Sequence, residues 1–404
     1  MVKRFLLFSL MLSLLIMTAS GAWAADKKPV KMIGSAILSG KIGAVAETGF
    51  GFLDGAAFVN MHGGINGRKF EVLLEDGQYN IPLCVSIFNR LSASEPKDEL
   101  FFHGGYGTDT LHAIAERVME NHMVCVDSSM SPAIFENNPR ENYPYFFSVG
   151  VPYGKQTGAI LKFLKASLHK GPDKPKLAFV YIESGVGREP IPSLKKYCKK
   201  FNIDLALIEP VTYTQTDYTP TLMKIRRVKA DYILLWCWSV PVGSRFFKMA
   251  RKVMPNVTIL TLSTGSYGIF FDTAKEAYDG VYMFSPYPQV YESNNPLVAK
   301  ALDIIKIKKH PPIKIWYLYM NAFLMSMMSA QAAILADNAG NLSREGCRDA
   351  MEGLRDWDAF GLYNGKTLDY GQHAFNRGRI LRADFKSKSN KPLTDWFIVD
   401  DYLK

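Results

Sequence analysis

From Val30 onward, short apolar runs alternate with longer amphipathic stretches. Phe70, Val72 and Leu74 alternate with Glu71 and Leu73, the pattern of a short strand lying on a core. Runs of this kind predict strands at Val30–Ala36, Lys69–Leu74, Glu99–His103 and Met123–Val126. Between them, periodic segments predict helices at Ala44–Met61, Ile81–Ser94 and Thr110–Glu120. After Pro144–Val149 the pattern restarts, with strands at Lys176–Ile182, Asp204–Ile208, Asp231–Trp236 and Val257–Leu262. Helices fill those gaps near Gly154–Leu168, Pro190–Phe201, Tyr218–Val228 and Pro241–Val253. Strands separated by helices imply parallel sheets covered on both faces, and such sheets meet ligands at the carboxyl ends of their strands. The chain reads as α/β, with two halves that each carry a doubly wound sheet.

A third section follows. Gly280–Phe284 is a predicted strand, Pro286 and Pro288 mark a crossover, and Pro296–Ile307 and Ile315–Ala336 are predicted helices. The second of these is apolar enough to raise the question of a membrane span. Asn321, Ser326, Ser329 and Gln331 interrupt it, which favours a core helix, with Met320, Met325, Met327 and Met328 as filler. Asp358–Phe375 is rich in turn residues and feeds terminal strands at Arg379–Phe385 and Thr394–Val399.

The first residues add an export signal. Lys3 and Arg4 precede an apolar run from Phe5 to Met17, and Ala22-Trp23-Ala24 has the form of a cleavage site. The run is shorter than the roughly 20 residues a membrane span needs. No cysteine stands at the cleavage point, so a soluble protein of a Gram-negative periplasm is expected rather than a lipoprotein. Removal of residues 1–24 leaves 380 of 404 residues and lowers the formal net charge from +10 to +8. That length supports two domains with their own cores. The basic excess sits in local clusters such as Lys195-Lys196 and Arg226-Arg227, with no basic block interleaved with aromatics. It reads as a solvated surface, and no nucleic-acid partner is expected.

The five cysteines, Cys84, Cys125, Cys198, Cys237 and Cys347, form no C-x-x-C motif, and their odd number leaves at least one unpaired. Cys125 and Cys237 lie in apolar strand runs and read as small core residues. A disulfide's connectivity is not legible. Enzyme signatures are missing: there is no H-E-x-x-H, no G-x-S-x-G, no Walker loop and no G-x-G-x-x-G after the first strand. The seven histidines are scattered. No catalytic residue, cofactor or metal site is assigned.

The segments just after strands carry the polar chemistry. His103-Gly104-Gly105-Tyr106-Gly107-Thr108-Asp109-Thr110 places glycines, Tyr106 and a hydroxyl at a helix start. Unpaired N–H groups there favour an anionic or acceptor group, although Thr108 or Asp109 could equally serve only as a cap. Asp127-Ser128-Ser129-Met130-Ser131-Pro132 repeats the arrangement, with Ser131 and Pro132 opening a helix. Trp236-Cys237-Trp238 and Ser263-Thr264-Gly265-Ser266-Tyr267 follow strands of the second lobe. Trp238 either stacks on a ligand or covers the core edge.

Ala56–Gln78, with its turn at Gly63, Gly64 and Gly67, resembles the first repeat of the periplasmic Leu/Ile/Val-binding protein family. Leu38-Ser39-Gly40 looks like that family's turn after strand one. Phe146–Gly158 is similar to its first crossover, and Asp231–Arg251 to the strand and helix lining the second lobe's cleft. The resemblance spans nearly all of the chain after the signal. It implies a type I periplasmic binding protein fold, two Rossmann-like lobes joined by three crossovers, here 25–148 plus 286–360 and 149–285 plus 361–404. It also implies a solute receptor, not an enzyme, that closes on a small molecule and docks on the permease subunits of an ABC importer. A module presenting its ligand to a signalling sensor is the alternative, and a secreted α/β hydrolase is a third.

Carried over by residue, the resemblance puts Thr108 at the family's carboxylate-binding serine. Ser128, Ser129 and Met130 fall at the adjoining contacts, and Trp238 at the second-lobe aromatic. Tyr106 and Gly107 belong to the same first-lobe turn. Met130 replaces a common threonine, and Val45 and Val186 replace common aromatics. Thr264 stands at or beside the acid that pairs with a ligand ammonium, and no acid occurs between Leu262 and Tyr267. A buried ammonium without a counter-charge is expensive. The implied ligand is therefore not an ordinary α-amino acid but an organic or aromatic acid, or an amide.

Overall fold

The computed structural model describes residues 27–40 and 46–404. The expected signal segment, its cleavage site and Val45 lie outside the described residues.

The first sheet contains β1 (Val30–Ala36), β2 (Phe70–Asp76), β3 (Leu100–Gly104), β4 (Val124–Asp127) and β5 (Phe146–Ser148). They are ordered β2-β1-β3-β4-β5, and every pair is parallel. Helices α1 (Ala46–Met61), α2 (Ile81–Ser94) and α3 (Thr108–Glu120) connect them. Asn80 begins α2 by accepting a hydrogen bond from Leu83 N at 3.1 Å, with Pro82 in the first turn. Gly63, Gly64 and Gly67 all have positive φ, which lets the chain reverse between α1 and β2.

The second sheet contains β6 (Lys176–Ile182), β7 (Asp204–Val211), β8 (Tyr232–Trp236), β9 (Thr258–Thr261) and β10 (Tyr282–Ser285). Helices α4 (Tyr153–Phe163), α5 (Ile191–Lys200), α6 (Thr219–Arg227) and α7 (Val240–Val253) accompany them. The core of this sheet is parallel, in the order β7-β6-β8-β9-β10. Next, β11 (Arg377–Asp384) adds antiparallel to β10, followed by the edge strand β12 (Ser389–Pro392) and the short β13 (Phe397–Ile398).

Between β10 and β11 the chain returns to the first sheet as α8 (Pro296–Lys308), α9 (Trp316–Asn338) and α10 (Arg344–Glu352), and it ends in α11 (Val399–Leu403). The chain therefore passes between the sheets three times. The passages lie side by side: Ser148 N donates to His373 O at 2.7 Å, Phe375 N to Gly150 O at 3.0 Å, and the Tyr287 hydroxyl to Val149 O at 2.5 Å.

Helix α9 is long and apolar enough to cross a membrane, yet 78% of its most apolar window is buried inside the fold. It packs along α1. The four methionines expected as filler are all buried on it. Gly51 and Gly55 allow this approach, because a Cβ at Gly51 would overlap the Tyr319 carbonyl and one at Gly55 would stand 2.7 Å from Ser326 Cβ. The buried Asp54 carboxylate accepts from the Tyr319 hydroxyl and from His310 Nε2, both at 2.9 Å.

Most expected elements are present, some to the residue, as at Val30–Ala36, Ile81–Ser94 and Lys176–Ile182, and others with shifted ends. Three differ. α10 was not foreseen, since its sequence REGCRDAME is mostly polar and buries only Gly346, Cys347 and Met351. β12 was not foreseen either, because SNKP at a sheet edge carries no apolar alternation. The strand expected at Thr394–Val399 shrinks to Phe397–Ile398, and Val399 opens α11. All five cysteines are buried and free.

Candidate functional site

The carboxyl ends of β3, β4, β8 and β9 converge on a cavity between the two sheets. From the first sheet, Ile37, Tyr79, Tyr106, Gly107, Thr108, Ser128 and Ser129 line it. Tyr153, Val186, Trp236, Trp238, Thr264 and Tyr267 line it from the second, and Tyr317, Leu318 and Asn321 come from α9. The cavity is small: about 60 Å³ is open to the centre of a water-sized sphere, against the roughly 10–15 Å³ that one water needs. A compact molecule fits it.

Helix α3 points its first turn at the cavity. Gly107 is the cap, with φ of 106°, a backbone that side chains rarely adopt, and a Cβ there would stand 3.1 Å from the Tyr79 ring. Thr108, the first helical residue, has Oγ1 2.9 Å from Ser129 Oγ. These hydroxyls and the unpaired N–H groups of the first turn make a donor-rich wall at the positive end of the helix. Ser128 Oγ donates to Gly105 O at 3.0 Å and the Tyr106 hydroxyl to Leu318 O at 2.5 Å, which holds the wall in place.

The opposite wall is aromatic. Trp236 lies 4.7 Å from Tyr153 and 5.3 Å from Trp238 between ring centroids, and its Nε1 donates to Val186 O at 3.1 Å. Tyr267 and Tyr317 are 5.8 Å apart, and Tyr317 shares a hydrogen bond with Ser263 Oγ at 3.0 Å. Burial pushes the Tyr317 phenol up to about 12 and also raises those of Tyr153 and Tyr267, so all three stay neutral near pH 7. The Asn321 amide lies 2.7 Å from the Tyr287 hydroxyl.

Tyr106, Gly107, Thr108, Ser128, Ser129, Val186, Trp238 and Thr264 thus come together around one cavity. Met130 does not: it is fully buried behind the wall, with its sulfur 3.1 Å from Gln156 Nε2. The Thr264 hydroxyl donates to Cys237 O at 2.8 Å and is therefore committed to the backbone. Among the described residues no aspartate or glutamate lines the cavity. The nearest acids are engaged elsewhere: Asp109 Oδ1 accepts from Val186 N at 3.1 Å, and Glu189 Oε1 accepts from Ser131 Oγ at 2.6 Å. Asp127 lies behind Ser129 and accepts its N–H at 2.7 Å, and burial pushes its carboxyl up to about 7.

The cavity residues that sequence reasoning missed include Tyr79, Tyr153, Tyr267, Tyr317 and Asn321. Tyr267 closes a segment already singled out after β9. The others come from a turn, a crossover helix and the returning helix α9, where no local pattern marks a wall.

Solved structures with this architecture include a branched chain amino acid ABC transporter from Thermus thermophilus with bound valine (18% identity, 92% of this chain and 97% of that one, TM-score 0.81). A fatty acid ABC transporter substrate-binding protein from Thermomonospora curvata is 20% identical over 92% of each chain, with a TM-score of 0.77. A solute binding protein of an ABC transporter from R. palustris, in complex with 4-hydroxybenzoate, is 16% identical over 92% of this chain and 97% of that one, with a TM-score of 0.75. At these identities the likeness shows the fold, that of type I periplasmic binding proteins. No curated protein matches the chain. A family model described as periplasmic binding protein matches residues 36–390, and the chain belongs to that family.

Proposed function

We propose that the chain is the solute receptor of an ABC importer, working in the periplasm after removal of residues 1–24. Lobes 25–148 plus 286–360 and 149–285 plus 361–404 close on a small organic acid, with aromatic acids favoured, and then dock on the importer's permease. The reading is of binding without covalent chemistry. One observation carries it: the cavity joins a helix start and hydroxyls to a wall of aromatic rings, with no acid among the described residues that line it. A carboxylate finds donors there and an apolar ring finds stacking faces, whereas an ammonium finds no counter-charge. The similar structures, one with bound valine, one of a fatty acid transporter and one in complex with 4-hydroxybenzoate, accord with a scaffold that takes varied ligands.

The test is a thermal-shift and calorimetry series on the mature protein with benzoate, 4-hydroxybenzoate, benzamide, leucine and glutamate. A ligand at 100 times its Kd stabilises the folded state by about 2.7 kcal/mol. The aromatic acids should shift the midpoint most. Thr108→Val should weaken benzoate by about tenfold or more, as expected for a lost hydrogen bond to a charged group, and leave benzamide less affected. A dominant shift by leucine would overturn the assignment of ligand class.

A further inference from the structure

His103 on β3 and Cys125 and Asp127 on β4 form a cluster that the solute-binding reading leaves unused. The strands run parallel with His103 opposite Cys125, and the two-residue period of a strand puts Asp127 on the same face as Cys125. One ligand atom from each residue lies within 4.8 Å of the other two, and His103 Nδ1 is 3.3 Å from Cys125 Sγ. All three residues are buried. Among the described residues no lysine or arginine offsets Asp127, whose carboxylate accepts backbone N–H groups of Ser129, at 2.7 Å, and Ser128.

We propose that this cluster binds one divalent ion of the zinc class, through an imidazole nitrogen of His103, the Cys125 thiolate and a carboxylate oxygen of Asp127. A mixed nitrogen, sulfur and oxygen set suits zinc, whose bonds of about 2.0–2.3 Å let two donors 3.3 Å apart share the ion at roughly 100°. Charge balance favours the same ion. Thiolate and carboxylate together carry two negative charges, which a divalent ion cancels, so the loaded cluster buries no net charge. Loading releases the thiol proton, and any proton on the carboxyl, to solvent. Gly105 lies against the cluster, where a Cβ would press on Asp127 Oδ2 and His103 Cε1 at 3.2 Å, so only a residue without a side chain leaves that side uncrowded. Four-coordination of such an ion would leave one position for a water. The ion would brace the cavity from behind, since Asp127 holds the Ser129 N–H and Ser128 Oγ binds Gly105 O.

The test uses the mature chain without a polyhistidine tag, stripped with a chelator under reducing conditions and titrated with Co²⁺. The expected result is a thiolate-to-cobalt absorption band in the near ultraviolet that saturates at one equivalent and is displaced by Zn²⁺. Cys125→Ser should remove the band and Cys84→Ser should leave it. Asp127→Asn, which keeps the side chain's shape, should weaken cobalt binding by at least ~10-fold. Circular dichroism establishes that each variant is folded. If Cys125→Ser does not fold, Asp127→Asn decides. Absence of the band in the wild type, its survival in Cys125→Ser, or wild-type titration of Asp127→Asn would overturn the proposal. These readouts involve no organic ligand, so they stand or fall apart from the solute-binding reading.

Discussion

His112 Nε2 and Glu189 Oε1 meet at 2.9 Å, joining α3 beneath the first sheet to the segment that follows β6 in the second. Ser131 donates to the same oxygen, and Asp109 beside His112 accepts from Val186 N. The contacts connect groups around the first sheet to groups around the second. On the proposed two-lobe closure, opening the cleft would break them, so they favour the closed form.

The histidine makes closure depend on pH. Its hydrogen bond with Glu189 raises the His112 pKa above the usual 6.5, against partial burial, and the Glu189 and Asp109 charges add to the rise. The closed form therefore binds the proton more tightly than the open one. Its advantage is fully present below about pH 6.5 and fades as pH rises through the raised value. The His112 side chain is 39% exposed, so solvent screens the pair, and a contribution below about 1 kcal/mol is appropriate. Benzoate affinity should fall about two- to threefold between pH 6 and pH 8, by calorimetry, and His112→Gln should flatten that slope. A slope unchanged in the variant would assign the pH dependence to another group.

Trp238 should be an energetic centre of the cavity. It sits between Trp236 and Tyr213, with ring centroids 5.3 and 6.2 Å away, and only 8% of it is exposed. Aromatic anchors enclosed in this way carry a large share of binding energy, so Trp238→Ala should weaken 4-hydroxybenzoate by roughly 30-fold or more. Tryptophan emission should also change on binding in the wild type. Unchanged affinity in a folded variant would make Trp238 a packing residue of β8 alone.

The strand-end rule is why much of this site was legible in advance. Thr108, Ser128, Trp238 and Thr264 each follow a strand, and parallel sheets bring such positions to one edge. Ile81–Ser94 was legible to the residue because Asn80 and Pro82 mark its start chemically. Tyr153 and Tyr317 were not, because their place in the wall depends on how the crossovers and α9 settle between the sheets. The polar α10 and β12 escaped for a related reason: tertiary contacts order them, and their own periodicity carries little signal. The glycine turn at Gly63–Gly67 identifies the architecture, yet none of its residues lines the cavity.

The α1–α9 contact offers a stability test that leaves the cavity alone. Neither Gly51 nor Gly55 lines the cavity, and both are buried where α9 passes over α1. A methyl group at Gly51 must displace the Tyr319 backbone, and a carbonyl inside a helix cannot step aside as a flexible side chain would. Alanine is the better helix former by about 1 kcal/mol, whereas forcing extra volume into a packed contact costs about 1–3 kcal/mol. The steric term should win here because the obstruction is backbone. Gly51→Ala should therefore lower unfolding free energy by about 1–2 kcal/mol in urea titrations, with benzoate affinity retained. Gly63→Ala gives the contrast. Nothing stands within 4 Å of its added Cβ, so its cost should come from positive φ alone, roughly 1–2 kcal/mol. Separation of the two mechanisms comes from a second substitution. Asparagine tolerates the left-handed region, so Gly63→Asn should recover part of the loss. The same residue at Gly51 should deepen it, and recovery there would show that α1 can shift to accommodate a side chain.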